Sequence, residues 1–252
     1  MAPTLKDIFG SDELANQVEK FDFDKNERGM IISYAPLYGN FTKQSFEAMS
    51  DEVKILIAVV TKTMQKIEPQ DRNYDTITTA FMQSPLLQLD DQKSIQRSDA
   101  YHTDHTNLLK LDGSPDPKIV QEIHHWFDGL VQDQEVLQKV GLGVDALAKV
   151  VAQSGAKVDG VESAIHKEEF HQKLFQVTFL DFPDPDRPLF DIHRLALEVW
   201  SSSDRTGFLQ KDQNGVTGAY TARAFTYRSD VLQGLSELAR NKAIAIANGL
   251  FD

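Results

Sequence analysis

The chain has 252 residues, of which 41% are hydrophobic and 25% charged. That balance buries a real core and excludes disorder throughout. A net charge of −12 without a Lys/Arg cluster excludes a phosphate-tracking surface and simple attraction to anionic lipid, and the lack of cysteine excludes disulfides, thiolate catalysis, Cys-ligated zinc and S-palmitoylation.

Residues 1–26 are acidic and weakly patterned. Leu5, Ile8 and Phe9, then Leu14 and Val18, suit one or two helical turns in a loosely packed segment. Met1–Gly10 carries Asp7 and no long apolar run, so no signal peptide is visible. Arg28–Ala35 predicts a first strand, closed by Pro36 and Gly39.

Asp51–Ile67 predicts a helix capped by Ser50, with Asp51 and Glu52 at the positive end of its dipole. Val53, Leu56, Ile57, Val60 and Met64 fall on one face, and Ala58 and Val59 widen it. Its apolar run Val53–Val60 is far shorter than the ~20 residues a membrane-spanning helix needs. Pro69 ends the pattern, and Asp75–Met82 predicts a second, shorter helix.

Ser84–Ser98 is polar and without a strong period. Tyr101–Leu111 alternates like a strand, and Asp112-Gly113-Ser114-Pro115 signals a turn. Asp116–Val131 then predicts the clearest helix. Asp116 caps it, Pro117 takes the first position, and Ile119, Ile123, Trp126, Phe127 and Leu130 form one apolar face. Gln134–Ala152 predicts a partner helix, weakened by Gly141 and Gly143 at ~1 kcal/mol each. Glu162–Gln172 reads as a charged connector of helical character.

Strands follow. Lys173–Phe182 and Leu189–Trp200 flank the rigid turn Pro183-Asp184-Pro185-Asp186. Thr206–Lys211 predicts a short third strand, Asp212-Gln213-Asn214-Gly215 a hairpin turn, and Val216–Arg228 the returning strand, with Tyr220, Ala222, Ala224 and Thr226 on one side. Ser229 caps a last helix over Asp230–Arg240, with Val231, Leu235 and Leu238 facing inward. The order predicts an α+β fold: a single domain over residues 1–252, with one antiparallel sheet flanked by two layers of helices.

No motif for nucleotide binding or nucleophilic catalysis occurs. His102-Thr103-Asp104 supplies an HxD pair, and His193 could complete a facial triad for non-haem iron. The surrounding helical pattern favours a polar strand edge instead. His124 and His125 point about 100° apart on a helix, which argues against one shared metal. His166 and His171 are five apart and miss helical ligand spacing. Asp181, Asp184, Asp186 and Asp191 miss the calcium-loop pattern, and turn chemistry explains them better. Catalytic and metal residues are therefore expected to be none, and cofactors none. The remaining constellation is the apolar helix face, strong enough to lie in a bilayer interface if it swung free.

With the elements assembled, the chain resembles the cytolytic delta-endotoxin family and the distantly related Erwinia virulence factor family over roughly residues 30–235. The likeness lies in helix pairs followed by the strand run FQVTFLDFPDPDRPLFDIHRLALEV and RTGFLQKDQNGVTGAYTARAFTYRSDV. The resemblance implies one antiparallel sheet between helical layers, and a bacterial toxin or virulence protein acting on membranes by pores or detergent-like disruption. The virulence factor carries lipid on a cysteine, and this chain has none.

The resulting expectation is a membrane-active protein, not an enzyme. It would be secreted or released from a bacterium, soluble as made, with membrane lipid as partner, no nucleic acid, and an oligomer forming on the membrane. Ile119, Ile123, Trp126, Phe127 and Leu130 are the lipid-facing candidates. The alternative is a metal-dependent oxygenase using His102, Asp104 and His193.

Overall fold

Caps and apolar spacing set the helices where the sequence places them. The computed structural model describes residues 3–10, 31–103, 117–133, 136, 168–206 and 209–251. Helix α1 is Leu5–Phe9, opened by Thr4, whose amide and hydroxyl both donate to Asp7 Oδ2, at 2.9 and 2.8 Å. Strand β1 is Ile31–Leu37, followed by α2 (Lys43–Glu47), α3 (Asp51–Met64), a 3₁₀ turn at Pro69–Asp71 and α4 (Tyr74–Met82). Ser50 accepts from the Val53 amide at the start of α3, and Asn73 accepts from Thr76 at the start of α4. Then come β2 (Leu87–Thr103), α5 (Pro117–Val131), β3 (Glu168–Asp181), β4 (Phe190–Thr206), β5 (Leu209–Tyr227), α6 (Ser229–Gln233) and α7 (Glu237–Asn248).

The fold is α+β, built on a five-stranded sheet in the order β1-β3-β4-β5-β2. Helices cover both faces, as alternate residues on the strands demonstrate. On β4, Phe190 and Ile192 belong to one core, and Leu195 and Leu197 to the other. The larger core lies under α1, α2, α3, α4 and α7 and is dense in aromatic contacts: Phe182 meets Phe9, Tyr38, Phe41 and Phe190 at 4.9–5.1 Å. The second core lies under α5.

Several expectations are corrected. The sheet is mixed, because β1 runs parallel to β3. Pro36 sits inside β1 and does not close it; β1 is an edge strand, where a missing ladder donor is tolerated. The stretch read as patternless, together with the start of the Tyr101–Leu111 segment, is the 17-residue β2. It pairs with β5 on one side only, and a bulge between Asp90 and Ile95 breaks its alternation. The end of the supposed helical connector, Glu168–Gln172, belongs to β3.

The Asn214-Gly215 turn is also overturned. Both residues lie within β5, Asn214 opposite Ser201 and Gly215 opposite Trp200, so the short third strand is the first part of β5. Gly215 is there for space: a Cβ would stand 2.5 Å from the Trp200 ring and 2.7 Å from the Tyr101 carbonyl. The last helix is two. α6 ends before Gly234, and Ser236 caps α7 by accepting from Ala239. Leu232 is the buried residue, while Leu238 is 81% exposed. Residues 5–9 are firmly docked, with Ile8 and Phe9 buried and Tyr38 donating to the Gly10 carbonyl at 2.7 Å. Leu14, Val18, the 112–115 turn, His166 and, apart from Val136, the helix expected over Gln134–Ala152 lie outside the described residues.

Candidate functional site

The site grows from the second core. Along α5, Ile119, Ile123, Phe127, Leu130 and Val131 are buried against Val177, Phe179, Leu195, Leu197, Val216, Tyr220 and Ala222 of the sheet, with Val136 beside them. The four candidate residues Ile119, Ile123, Phe127 and Leu130 thus cover the sheet in the folded protein. Trp126, the fifth, sits half-buried at the margin. Its indole crosses Gly218 of β5, where a Cβ would stand 2.8 Å from the ring and 2.5 Å from Leu130. Trp126 Nε1 is buried and has no hydrogen-bond partner among the described residues, although buried indoles usually find one.

Polar contacts from β2 fix the helix at each end. The Tyr101 phenol donates to Glu122 Oε2 at 2.6 Å. Burial, reinforced by that bond and by the carboxylate's charge, holds the phenol well above its ordinary pKa. Arg97 Nη1 donates to the Val131 carbonyl at 2.6 Å and reaches the Leu130 carbonyl at 3.5 Å. These are terminal carbonyls that no further helical turn satisfies. Gln132 follows with φ of 52°, a left-handed stop.

A second cluster lies beneath, at the turn end of the β3–β4 hairpin. Asp181 and Asp191 are cross-strand partners, and His193 is two residues further on the same face. All three are buried, and their ligand atoms lie within 4.8 Å of one another. Arg187 donates to Asp181 Oδ2 at 2.9 Å and pairs with Asp191, so a guanidinium already supplies the positive charge a cation would bring. His193 Nδ1 meets the Tyr220 hydroxyl at 2.9 Å. Burial raises the Tyr220 pKa, helped by Asp133 and opposed by Arg97 and Arg187. The turn itself uses Asp184, whose Oδ1 accepts from the Asp186 and Arg187 amides at 2.9 and 2.7 Å. The four aspartates therefore divide between turn chemistry and a buried ion pair. One signal was available: Asp181 and Asp191 are equidistant from Asp186, the centre of the hairpin.

The facial-triad arrangement does not form. His102 is exposed and pairs with Gly215, which stands opposite Trp200. Trp200 is seven residues from His193 along β4, about 23 Å at strand rise. His102 and His193 thus cannot share an ion, and Asp104 lies outside the described residues. His124 is half-buried and His125 exposed. With Asp128 they bring ligand atoms within 4.8 Å of one another, closer than their 100° helical separation suggested.

No protein-family model matches the chain, and no curated protein matches it in sequence. Among solved structures it is similar to a delta-endotoxin at 10% identity and a TM-score of 0.28, covering 79% of this chain and 82% of that one. It is similar to the activated Cyt2Ba monomer from Bacillus thuringiensis subsp. israelensis at 11% identity and a TM-score of 0.28, covering 77% and 96%. The Evf virulence factor gives 9% identity and a TM-score of 0.24, covering 89% and 78%. These scores amount to a weak likeness of fold.

Proposed function

We propose that the protein is a membrane-active toxin or virulence protein, released from a bacterium in soluble form, in which α5 leaves the sheet to bind and permeabilise a target membrane. The supporting observation is the state of α5. It is an amphipathic helix whose apolar face is buried, yet whose marginal Trp126 carries a buried indole N–H without a partner among the described residues. A membrane interface accommodates both the apolar face and the N–H, since Trp favours the headgroup level.

The helix would lie in the interface and not span it. Its 15 residues reach only about 22 Å, and no helix among the described residues is long and apolar enough to cross a membrane. Ile119, Ile123, Phe127 and Leu130 would enter the acyl boundary, with Trp126 at the headgroups. Membrane lipid is the partner in this reading, and copies of the chain would assemble on its surface. The net charge of −12 favours neutral over anionic lipid at pH 7.

Dye release from liposomes tests the reading. Tyr101→Cys with Glu122→Cys, joined by a reducible thiol-reactive linker, would tie α5 to β2 without competition from native cysteines, of which there are none. Release should vanish with the linker intact and return on reduction. Failure of the wild-type protein to release dye from, or sediment with, neutral or anionic liposomes at pH 7.5 and pH 5 would sink it.

A further inference from the structure

The two polar contacts on α5 share a geometry that packing alone does not require. Arg97 and Tyr101 are four residues apart on β2, about 13 Å at strand rise. Their partners Val131 and Glu122 are nine residues apart on α5, about 13.5 Å at helical rise. The order is reversed: Tyr101 holds the first half of the helix and Arg97 its last turn. Gly218, which pairs with Asp99 midway between them, admits Trp126 and Leu130. Strand β2 and α5 therefore run antiparallel, joined at two matched points, with Gly218 of the neighbouring strand β5 seated under the helix between them.

The bulge in β2 makes this arrangement. Asp90 pairs with Ala224 and Ile95 with Ala222, so five steps on β2 answer two on β5. The excess of three is odd, and an odd slip turns side chains to the opposite face. Before the bulge, Leu87 and Leu89 enter the larger core; after it, Ile95 and Tyr101 pack against the core under α5. Without the bulge, Arg97 and Tyr101 would face away from α5. Ser94 secures it, donating to the Asp90 carbonyl at 2.9 Å and accepting from the Ala224 amide at 3.4 Å. β2 is also the outermost strand, held by a ladder on one side only.

We infer that β2 is a two-point latch on α5: Tyr101 on Glu122 and Arg97 on the Val131 carbonyl set how readily the helix leaves the sheet. The inference rests on the membrane reading for its purpose, but the latch itself is a property of the folded chain. Tyr101 contributes through one hydroxyl. Arg97 contributes through a guanidinium that also lies 6.0 Å over the Tyr220 ring and so connects the latch to the sheet centre.

Hydrogen exchange on the full-length protein tests the latch in solution, without lipid. Tyr101→Phe keeps the ring and removes the hydroxyl; Arg97→Met keeps most of the stem. Each should speed exchange of α5 amides about five- to tenfold while α3 amides keep their protection. Tyr101→Phe serves as the safeguard if Arg97→Met folds poorly. Unchanged α5 exchange in Tyr101→Phe, or equal acceleration of α3 and α5, would overturn the latch. Dye release by the same variants reads its consequence: the half-maximal dose should fall severalfold. Faster α5 exchange with no release from any liposome would leave the latch standing and remove the membrane reading. Release by the wild type with α5 exchange unchanged in the variants would do the reverse.

Discussion

Gly218 on β5 lies directly beneath Trp126 on α5, at a separation that only a missing Cβ permits: a methyl group there would stand 2.8 Å from the indole and 2.5 Å from Leu130. The strand and the helix are fitted to each other at this point, and the helix cannot approach a bulkier strand as closely. Gly218→Val should therefore lift α5. Overpacking of this kind costs about 1–3 kcal/mol, read as a lower melting temperature. Dye release per folded molecule should rise at the same time. A stability loss with no rise would show that seating α5 and restraining it are unrelated.

Trp126 offers the complementary test. It is half-buried in the fold, so Trp126→Ala should destabilise by less than the 3–5 kcal/mol typical of a buried aromatic. Liposome binding should fall by more than this stability loss explains. Trp126→Phe, which keeps one aromatic ring and drops the N–H that has no partner among the described residues, should destabilise less than Trp126→Ala. Equal proportional losses in stability and binding for Trp126→Ala would remove Trp126 from the lipid-facing set.

The hairpin cluster is a buried ion pair. Arg187 neutralises Asp181 and Asp191, both buried, while its own side chain is 38% exposed. Arg187→Met leaves two carboxylates facing each other and should cost about 3 kcal/mol, the low end for breaking a buried pair because solvent reaches the arginine. Urea denaturation measures it. An unchanged midpoint would mean the carboxylates are held by something other than Arg187.

Tyrosine ionisation gives the pH dependence. Burial raises the phenol pKa of Tyr34, Tyr74, Tyr101 and Tyr220, whereas an unfolded tyrosine ionises near pH 10. A folded pKa above the unfolded one contributes stability that is fully present below about pH 10 and lost as pH rises through the folded value. Alkaline unfolding should therefore begin above about pH 10, with phenolate absorbance and loss of far-UV circular dichroism rising together. Phenolate from all six tyrosines with the dichroism intact would contradict the burial.

Acid sensitivity has a smaller source. Glu52 accepts from its own amide and Ser50 and faces Arg240 of α7, which lowers its pKa. Its contribution is present above the unfolded carboxylate value and lost as pH falls through the folded one. Glu52→Gln should flatten the stability profile below about pH 4, measured by thermal melts from pH 3 to 6. An unaltered slope would show that the bonds to its own amide and Ser50, with the contact to Arg240, are too solvated to matter.

Helices were the legible part of this chain. The face from Val53 to Met64 and the face from Ile119 to Leu130 repeat at helical spacing, and Ser50 announces its helix; such signals are local, because the backbone bonds they organise close within four residues. The β3–β4 hairpin was legible for the same reason, its turn lying between two apolar runs. Strand β2 was not: Ser84–Ser98 is polar, and only the ladder with β5 makes it a strand. Asn214-Gly215 carried a strong local turn signal and was overruled by the ladders that hold it between β4 and β2. The parallel placement of β1 beside β3, the odd slip that turns Tyr101 toward α5, and the seating of His193 against Tyr220 were decided by tertiary structure alone. Each depends on which distant strand lies alongside and in what register, and pairing energy between segments leaves no period within either one.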